Sequence, residues 1–168
     1  MGAIREQMAV LEEHGIEYEV IPGVSSLFAA AASLKTELTI PDVSQTVIIT
    51  RMEGRTSVPK GESLRSLAAH QATLAVFLSM GMIENVVQEL LEGGYPSETP
   101  VAVVYKASWE DEIVIRTTLK DVTERVRALG IKRRALILVG SVLDPKRKGC
   151  RSKLYSRNFS HGYRQRKL

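Results

Sequence analysis

Residues 99–119 read TPVAVVYKASWEDEIVIRTTL. Two runs rich in β-branched residues, 99–107 and 112–119, flank the polar segment 108–111. Valine, isoleucine and threonine suit a pleated, half-buried surface. Two such runs joined by a short polar connection predict an antiparallel hairpin. Upstream, residues 43–51 (VSQTVIITR) form another β-branched run of the kind found in a buried sheet, and residues 72–79 (ATLAVFLS) form one more. Downstream, residues 135–142 (ALILVGSV) supply the last. Helical patterns fall between them, over residues 62–70, 83–91 and 121–129, and residues 83–91 place Val86, Val87, Leu90 and Leu91 inward. Gly93-Gly94 and Gly130 stop the second and third of these helices. From Val43 the order is β-α-β-α-β-β-α-β, which predicts an α/β fold built on a mixed sheet.

Before that sheet, residues 3–14 carry Ile4, Met8 and Leu11 near helical spacing, with Gly15 as a stop. No strand or cap precedes this helix, and the opening reads as a chain cut from something longer. A short strand over residues 17–21 is expected next, broken by Pro22-Gly23. Ser25 or Ser26 can then cap the helix SLFAAAASL, whose alanines allow close approach of a neighbour. Pro41 marks a boundary. The organisation is thus a helix-strand-helix piece (1–41), an α/β domain (42–143) and a basic, aromatic tail (144–168).

Composition narrows the function classes. At 44% hydrophobic residues the chain can bury a core, and its single cysteine, Cys150, excludes a disulfide framework and fits a reducing, cytoplasmic setting. No apolar run is long enough to span a bilayer, so no membrane partner is expected. The net charge of +4 hides an asymmetry. Residues 144–168 hold nine Lys or Arg against one acid, whereas residues 1–143 hold 14 against 18. Tail residues 151–167 read RSKLYSRNFSHGYRQRK, with Tyr155, Phe159 and Tyr163 every fourth residue among basic side chains and His161. Such a tail suits an anionic partner: single-stranded nucleic acid, a polycarboxylate held by arginine forks, or the acidic body itself.

Three strand ends carry candidate chemistry. Residues 22–26 (PGVSS) join the expected strand to a helix, where free N–H groups attract anions; the plainer reading is a serine-capped turn. Ser79-Met80-Gly81 ends one sheet strand. Methionine can pack on a flat ring, though a buried core methionine is the commoner case. Lys106-Ala107-Ser108 ends another strand at the same sheet edge. The histidines His14, His70 and His161 are scattered and give no zinc spacing, so no metal is expected. Glu110, Asp111 and Glu112 read as a solvated turn. No catalytic residue stands out.

Taken together, VIPGVSS, FLSMG, KASWEDEIVIRTTL and ALILVGSVL resemble the corresponding segments of the tetrapyrrole methylases. The RMEGRT loop and the RSKLYSRNFSHGYR tail are most similar to the branch of that family acting at C-11 of precorrin-4 or cobalt-precorrin-4 in cobalamin synthesis. The resemblance implies two α/β domains with S-adenosyl-L-methionine in the cleft between them, and a homodimer. It implies cofactor contacts from Ser25 and Ser26, packing of Met80 near the adenosine, and a backbone contact at Ala107. The tetrapyrrole substrate would meet Arg151, Tyr155, His161 and Arg164. The family's earlier domain, with its PGD and GDP-x-x-Y-G loops, has no counterpart in residues 1–168. Two roles then compete: a methyltransferase, and a module that only dimerises or holds a tetrapyrrole. Nucleic-acid binding is set aside.

Overall fold

The computed structural model describes residues 4–147 and 159–160. Five strands form one mixed sheet: β1 (Val47–Arg51), β2 (Thr73–Phe77), β3 (Pro100–Tyr105), β4 (Ile113–Thr118) and β5 (Ala135–Val139), in the spatial order β1-β2-β5-β3-β4. β1 and β2 are parallel, with Val47 opposite Thr73. β5 runs antiparallel between β2 and β3. The expected hairpin is present, with Pro100 opposite Thr118 and Tyr105 opposite Ile113. The helices are α1 (Ile4–Glu13), α2 (Ser26–Leu34), α3 (Leu64–Ala68), α4 (Ile83–Glu92) and α5 (Val122–Ala128).

Alternation along the central strands gives the sheet two buried faces. Leu74 and Val76 of β2, Val101 and Val103 of β3, and Ile137 and Val139 of β5 share one core with Leu64, Val86, Leu90, Val122 and Val126 of α3, α4 and α5. The intervening residues Ala75, Ala102, Val104, Leu136 and Leu138 share the other with Leu27, Ala30 and Leu34 of α2. Strands buried on both faces read as continuous apolar runs, which is why ALILV and VAVV were so legible. A nine-residue helix is marginal alone. Burying Leu27 and Leu34, each 1% exposed, contributes about 1.5–3 kcal/mol apiece and fixes α2 on the sheet. Ser25 accepts a hydrogen bond from Leu27 N–H at its start, and Lys35 closes its end with a left-handed cap. So α2, grouped by sequence with residues 1–41, packs on the sheet of residues 42–143.

Several expectations need correction. Residues 17–21 are not a strand: no partner strand lies beside them among the described residues, and an isolated strand leaves its backbone hydrogen bonds unmade. None of the side chains of α1 is buried. Ile16, Tyr18, Val20, Ile21, Val24 and Phe28 are all exposed. In α4 Ile83, Val86 and Leu90 are buried and Val87 packs half-buried against the same core, while Leu91 faces out. β1 starts at Val47 rather than Val43, because residues 40–44 close a turn through the Ile40–Ser44 bridge. α3 is shorter than residues 62–70, with Ser63 as its cap.

Candidate functional site

The sheet order sends the carboxyl ends of β1, β2 and β3 to one edge, where β4 and β5 begin. In open α/β sheets ligands bind outside the carboxyl ends of strands. A cavity of about 390 Å³ opens at this edge. Phe77, Leu78, Met80 and Gly81 line it from β2 onward, Lys106, Ala107 and Trp109 from the end of β3, residues 132–136 from the start of β5, and Ser26 from α2.

The connections at this edge are held by a few hydrogen bonds. Ser79, 1% exposed, donates through its hydroxyl to Phe77 O at 2.7 Å and accepts from Met52 N–H at 2.8 Å, so it ties the end of β1 to the turn after β2. That turn delivers Met80 to the cavity wall. Lys106 N–H donates to Arg134 O at 2.8 Å, joining the end of β3 to the entry of β5. Four non-glycine residues here have left-handed backbones: Leu78 (φ 54°), Lys106 (49°), Ser108 (70°) and Arg134 (59°). Such residues cluster at functional sites because strain there must be fixed by surrounding structure.

Electrostatically the rim is basic. Lys132, Arg133 and Arg134 are exposed and line the cavity. Lys106 pairs with Asp111, and its ammonium lies 5.1 Å from the Tyr105 ring centre and 5.4 Å from that of Trp109. The hydrogen bond to Asp111 raises the Lys106 pKa above the ordinary lysine value, against a smaller opposing effect of burial. The same bond holds the Asp111 carboxyl below the usual carboxylate range. Two further cavities abut this one. One of about 600 Å³ is lined by Tyr105, Ile113, Leu129, Lys132 and Arg133. The other, about 400 Å³, is lined by Met80, Ile83, Val126, Arg127 and Lys132.

Of the residues selected from sequence, Ser26, Met80 and Ala107 come together around the first cavity. Ser25 does not line it and serves as the α2 cap. Met80 is 4% exposed and belongs to the core as well as the wall. Arg151, Tyr155, His161 and Arg164 lie outside the described residues. Among the described residues no group of three metal-ligating side chains occurs, and no helix is long and apolar enough to cross a membrane. The sequence reading missed Leu78, Trp109 and the basic segment 132–134. The only tryptophan in the chain, directly after a strand end, was the available signal for Trp109.

Glu110 and Asp111 lie exposed in a turn, as expected, but the acids there also take specific partners and Glu112 is only half exposed. Asp111 is the partner of Lys106. Glu112 accepts from Ser108 N–H at 2.7 Å and from the Ser33 hydroxyl of α2 at 2.8 Å. These carboxylates are structural acceptors that organise the loop after β3.

The five-stranded mixed sheet and the elements packed on it are those of a methylase fold. Residues 1–123 match the model of the Tetrapyrrole (Corrin/Porphyrin) Methylases, and the chain belongs to that family. It is 63% identical over 164 residues to the cobalt-precorrin-4 C(11)-methyltransferase of Methanocaldococcus jannaschii, a match covering 98% of this chain and 63% of that protein. The X-ray structure of a cobalamin biosynthetic enzyme, cobalt precorrin-4 methyltransferase, superposes with a TM-score of 0.83 at 52% identity, over 86% of this chain and 60% of that one. The uroporphyrin-III C-methyltransferase of Thermus thermophilus, solved with S-adenosylhomocysteine, gives 0.69 at 27% identity, over 85% and 61%. The chain therefore spans less than two thirds of the length of each of these relatives.

Proposed function

We propose that this chain serves S-adenosyl-L-methionine-dependent methylation of precorrin-4 or cobalt-precorrin-4 at C-11, and that the strand-edge cavity receives the cofactor. The observation that carries the site is the convergence of Ser26, Met80 and Ala107, distant in sequence, on the lining of one cavity. The residues fit the group. A volume of about 390 Å³ lies within the range of roughly 300–1,000 Å³ usual for small-ligand sites. Met80 offers a soft apolar surface to an adenine ring, and the basic residues 132–134 suit a carboxylate.

When bound, the sulfonium group supplies an already activated methyl. The work left to the protein is orientation: holding donor and acceptor in line is a large part of such a barrier. Ala107 and Ser26 would set the cofactor's position from opposite sides, and Met80 would fix the plane of its base. Arg151, Tyr155, His161 and Arg164 would hold the carboxylates and rings of the tetrapyrrole. A homodimer, as implied by the resemblance, belongs to the same proposal.

The exposed apolar residues Ile16, Tyr18, Val20, Ile21, Val24 and Phe28 favour a second reading, in which the chain acts as a dimerisation or tetrapyrrole-binding module without transferring a methyl group. Calorimetric titration with S-adenosylhomocysteine, followed by transfer of labelled methyl from the cofactor to a precorrin, separates the two. Cofactor binding with transfer supports the enzyme. Tetrapyrrole binding lost on deleting residues 151–168, with no transfer, supports the module. Absence of both would refute the proposed use of the cavity.

A further inference from the structure

The cavity has two walls from distant parts of the chain. α2 supplies Ser26, and the loop after β3 supplies Ala107. One carboxylate joins them. Glu112 Oε2 accepts from the Ser33 hydroxyl at 2.8 Å and from Ser108 N–H at 2.7 Å. Ser33 lies on the same helix as Ser26, about two turns away.

We propose that Glu112 is a positioning residue for the cofactor site described above, and this inference rests on that reading. The peptide between Ala107 and Ser108 is planar and trans. Fixing its N–H on Glu112 therefore aims the Ala107 carbonyl in the opposite direction. That carbonyl accepts no backbone hydrogen bond among the described residues, so it is available to a ligand donor. Ser108 itself sits in a left-handed conformation that a serine adopts only under constraint. The loop's other bonds, Trp109 N–H to Lys106 O at 3.0 Å, Glu112 N–H to Trp109 O at 3.1 Å and the Lys106–Asp111 ion pair, close its turns but engage neither the Ser108 N–H nor the Ala107 carbonyl. The Ser33 bond then sets the spacing between the loop and α2. Glu112 thus fixes two walls of the cavity relative to each other without touching the ligand.

The test uses the purified chain with Glu112→Ala, Glu112→Gln and Ser33→Ala, S-adenosylhomocysteine as the probe, and thermal melts in parallel. Removing both acceptor bonds in Glu112→Ala should raise Kd about tenfold. Ser33→Ala, which removes one, should raise it about threefold. Glu112→Gln keeps a carbonyl acceptor and should recover most of the affinity. Amide exchange at Ser108 should accelerate in Glu112→Ala.

A purely structural role would lower the melting temperature and leave Kd unchanged in the folded protein; that result overturns the inference. Should Glu112→Ala not fold, a Kd in Ser33→Ala unchanged from that of the parent chain overturns it equally. Failure of the parent chain to bind the probe refutes the reading of the cavity itself, and the positioning role falls with it. Binding by the parent with no change in the variants refutes Glu112 alone.

Discussion

Met80 has two roles whose energetics can be separated. It is 4% exposed and shares a core with residues of α4, α5 and the sheet, yet it also faces the 390 Å³ and 400 Å³ cavities. Truncating a buried methionine to alanine costs about 2–5 kcal/mol, the upper end applying where an enclosed void is left. Here the lost atoms already border open space, so the cost should lie near about 2 kcal/mol. For a protein of this size that lowers Tm by roughly 6 °C. Met80→Leu conserves volume and should cost less than about 1.5 kcal/mol. Binding should behave differently. A soft thioether against an aromatic ring is worth about 0.3–1.5 kcal/mol. Met80→Leu should therefore weaken S-adenosylhomocysteine severalfold while nearly preserving Tm, and Met80→Ala should weaken it about tenfold. Thermal melts and calorimetry on the three proteins measure both quantities. A Tm shift under about 2 °C in Met80→Ala would show that the core role is wrong. A Kd unchanged in both variants would show that no ligand ring rests on this side chain.

Three other perturbations test the packing and charge around the site. Burial pushes the Tyr95 phenol up to about 12, and its hydroxyl donates to Ala72 O. Its folded-state pKa is raised, so the stability it contributes is complete below about pH 10 and is lost between about pH 10 and 12, up to about 3 kcal/mol. Urea unfolding at pH 9 and pH 11.5 should show that loss in the parent and a smaller one in Tyr95→Phe. At Gly93 an added Cβ would overlap Ala68 and the Arg65 carbonyl of α3. Gly93→Ala should then cost about 1–3 kcal/mol by forcing α3 away from α4, and an unchanged Tm would contradict this packing. The Asp111 carboxyl is lowered by Lys106, so the pair supports the loop above the ordinary carboxylate range and loses that support as pH falls through the lower folded value. Asp111→Asn should abolish the acid-dependent change in Trp109 fluorescence, and a persistent change would assign it to another group.

The features legible in sequence are those dictated by local chemistry. Residues 99–119 announce a hairpin because β-branched side chains on both arms fit a pleated surface, and Ser25 announces a helix start because its oxygen can satisfy a free N–H. Residues 17–21 look equally strand-like, but a strand exists only with a partner, and a single run says nothing about whether one is beside it. The acidic turn misled for a related reason. Glu112 looks solvated among its neighbours, and its partner Ser33 is 79 residues away. The left-handed backbones of Leu78, Lys106 and Arg134 gave no signal at all, since none is glycine or asparagine, the residues that usually mark such positions.

Those strained residues bear on how the cavity works. A left-handed conformation costs a residue with a side chain of order 1–2 kcal/mol, and four of them at one edge amount to a substantial local penalty. The two-faced burial of β2, β3 and β5 is large enough to absorb it, because each buried leucine or valine contributes about 1.5–3 kcal/mol. The hydrogen bonds from Lys106 N–H to Arg134 O, from Ser108 N–H to Glu112 and from Met52 N–H to Ser79 determine where the strain sits. The ordering cost is met when the chain folds, so a ligand entering the cavity need not order these turns itself. Preorganisation of this kind raises affinity by removing a cost rather than by adding a contact. Side chains outside the cavity lining, such as Ser79 and Glu112, should for that reason influence binding as strongly as some that line it.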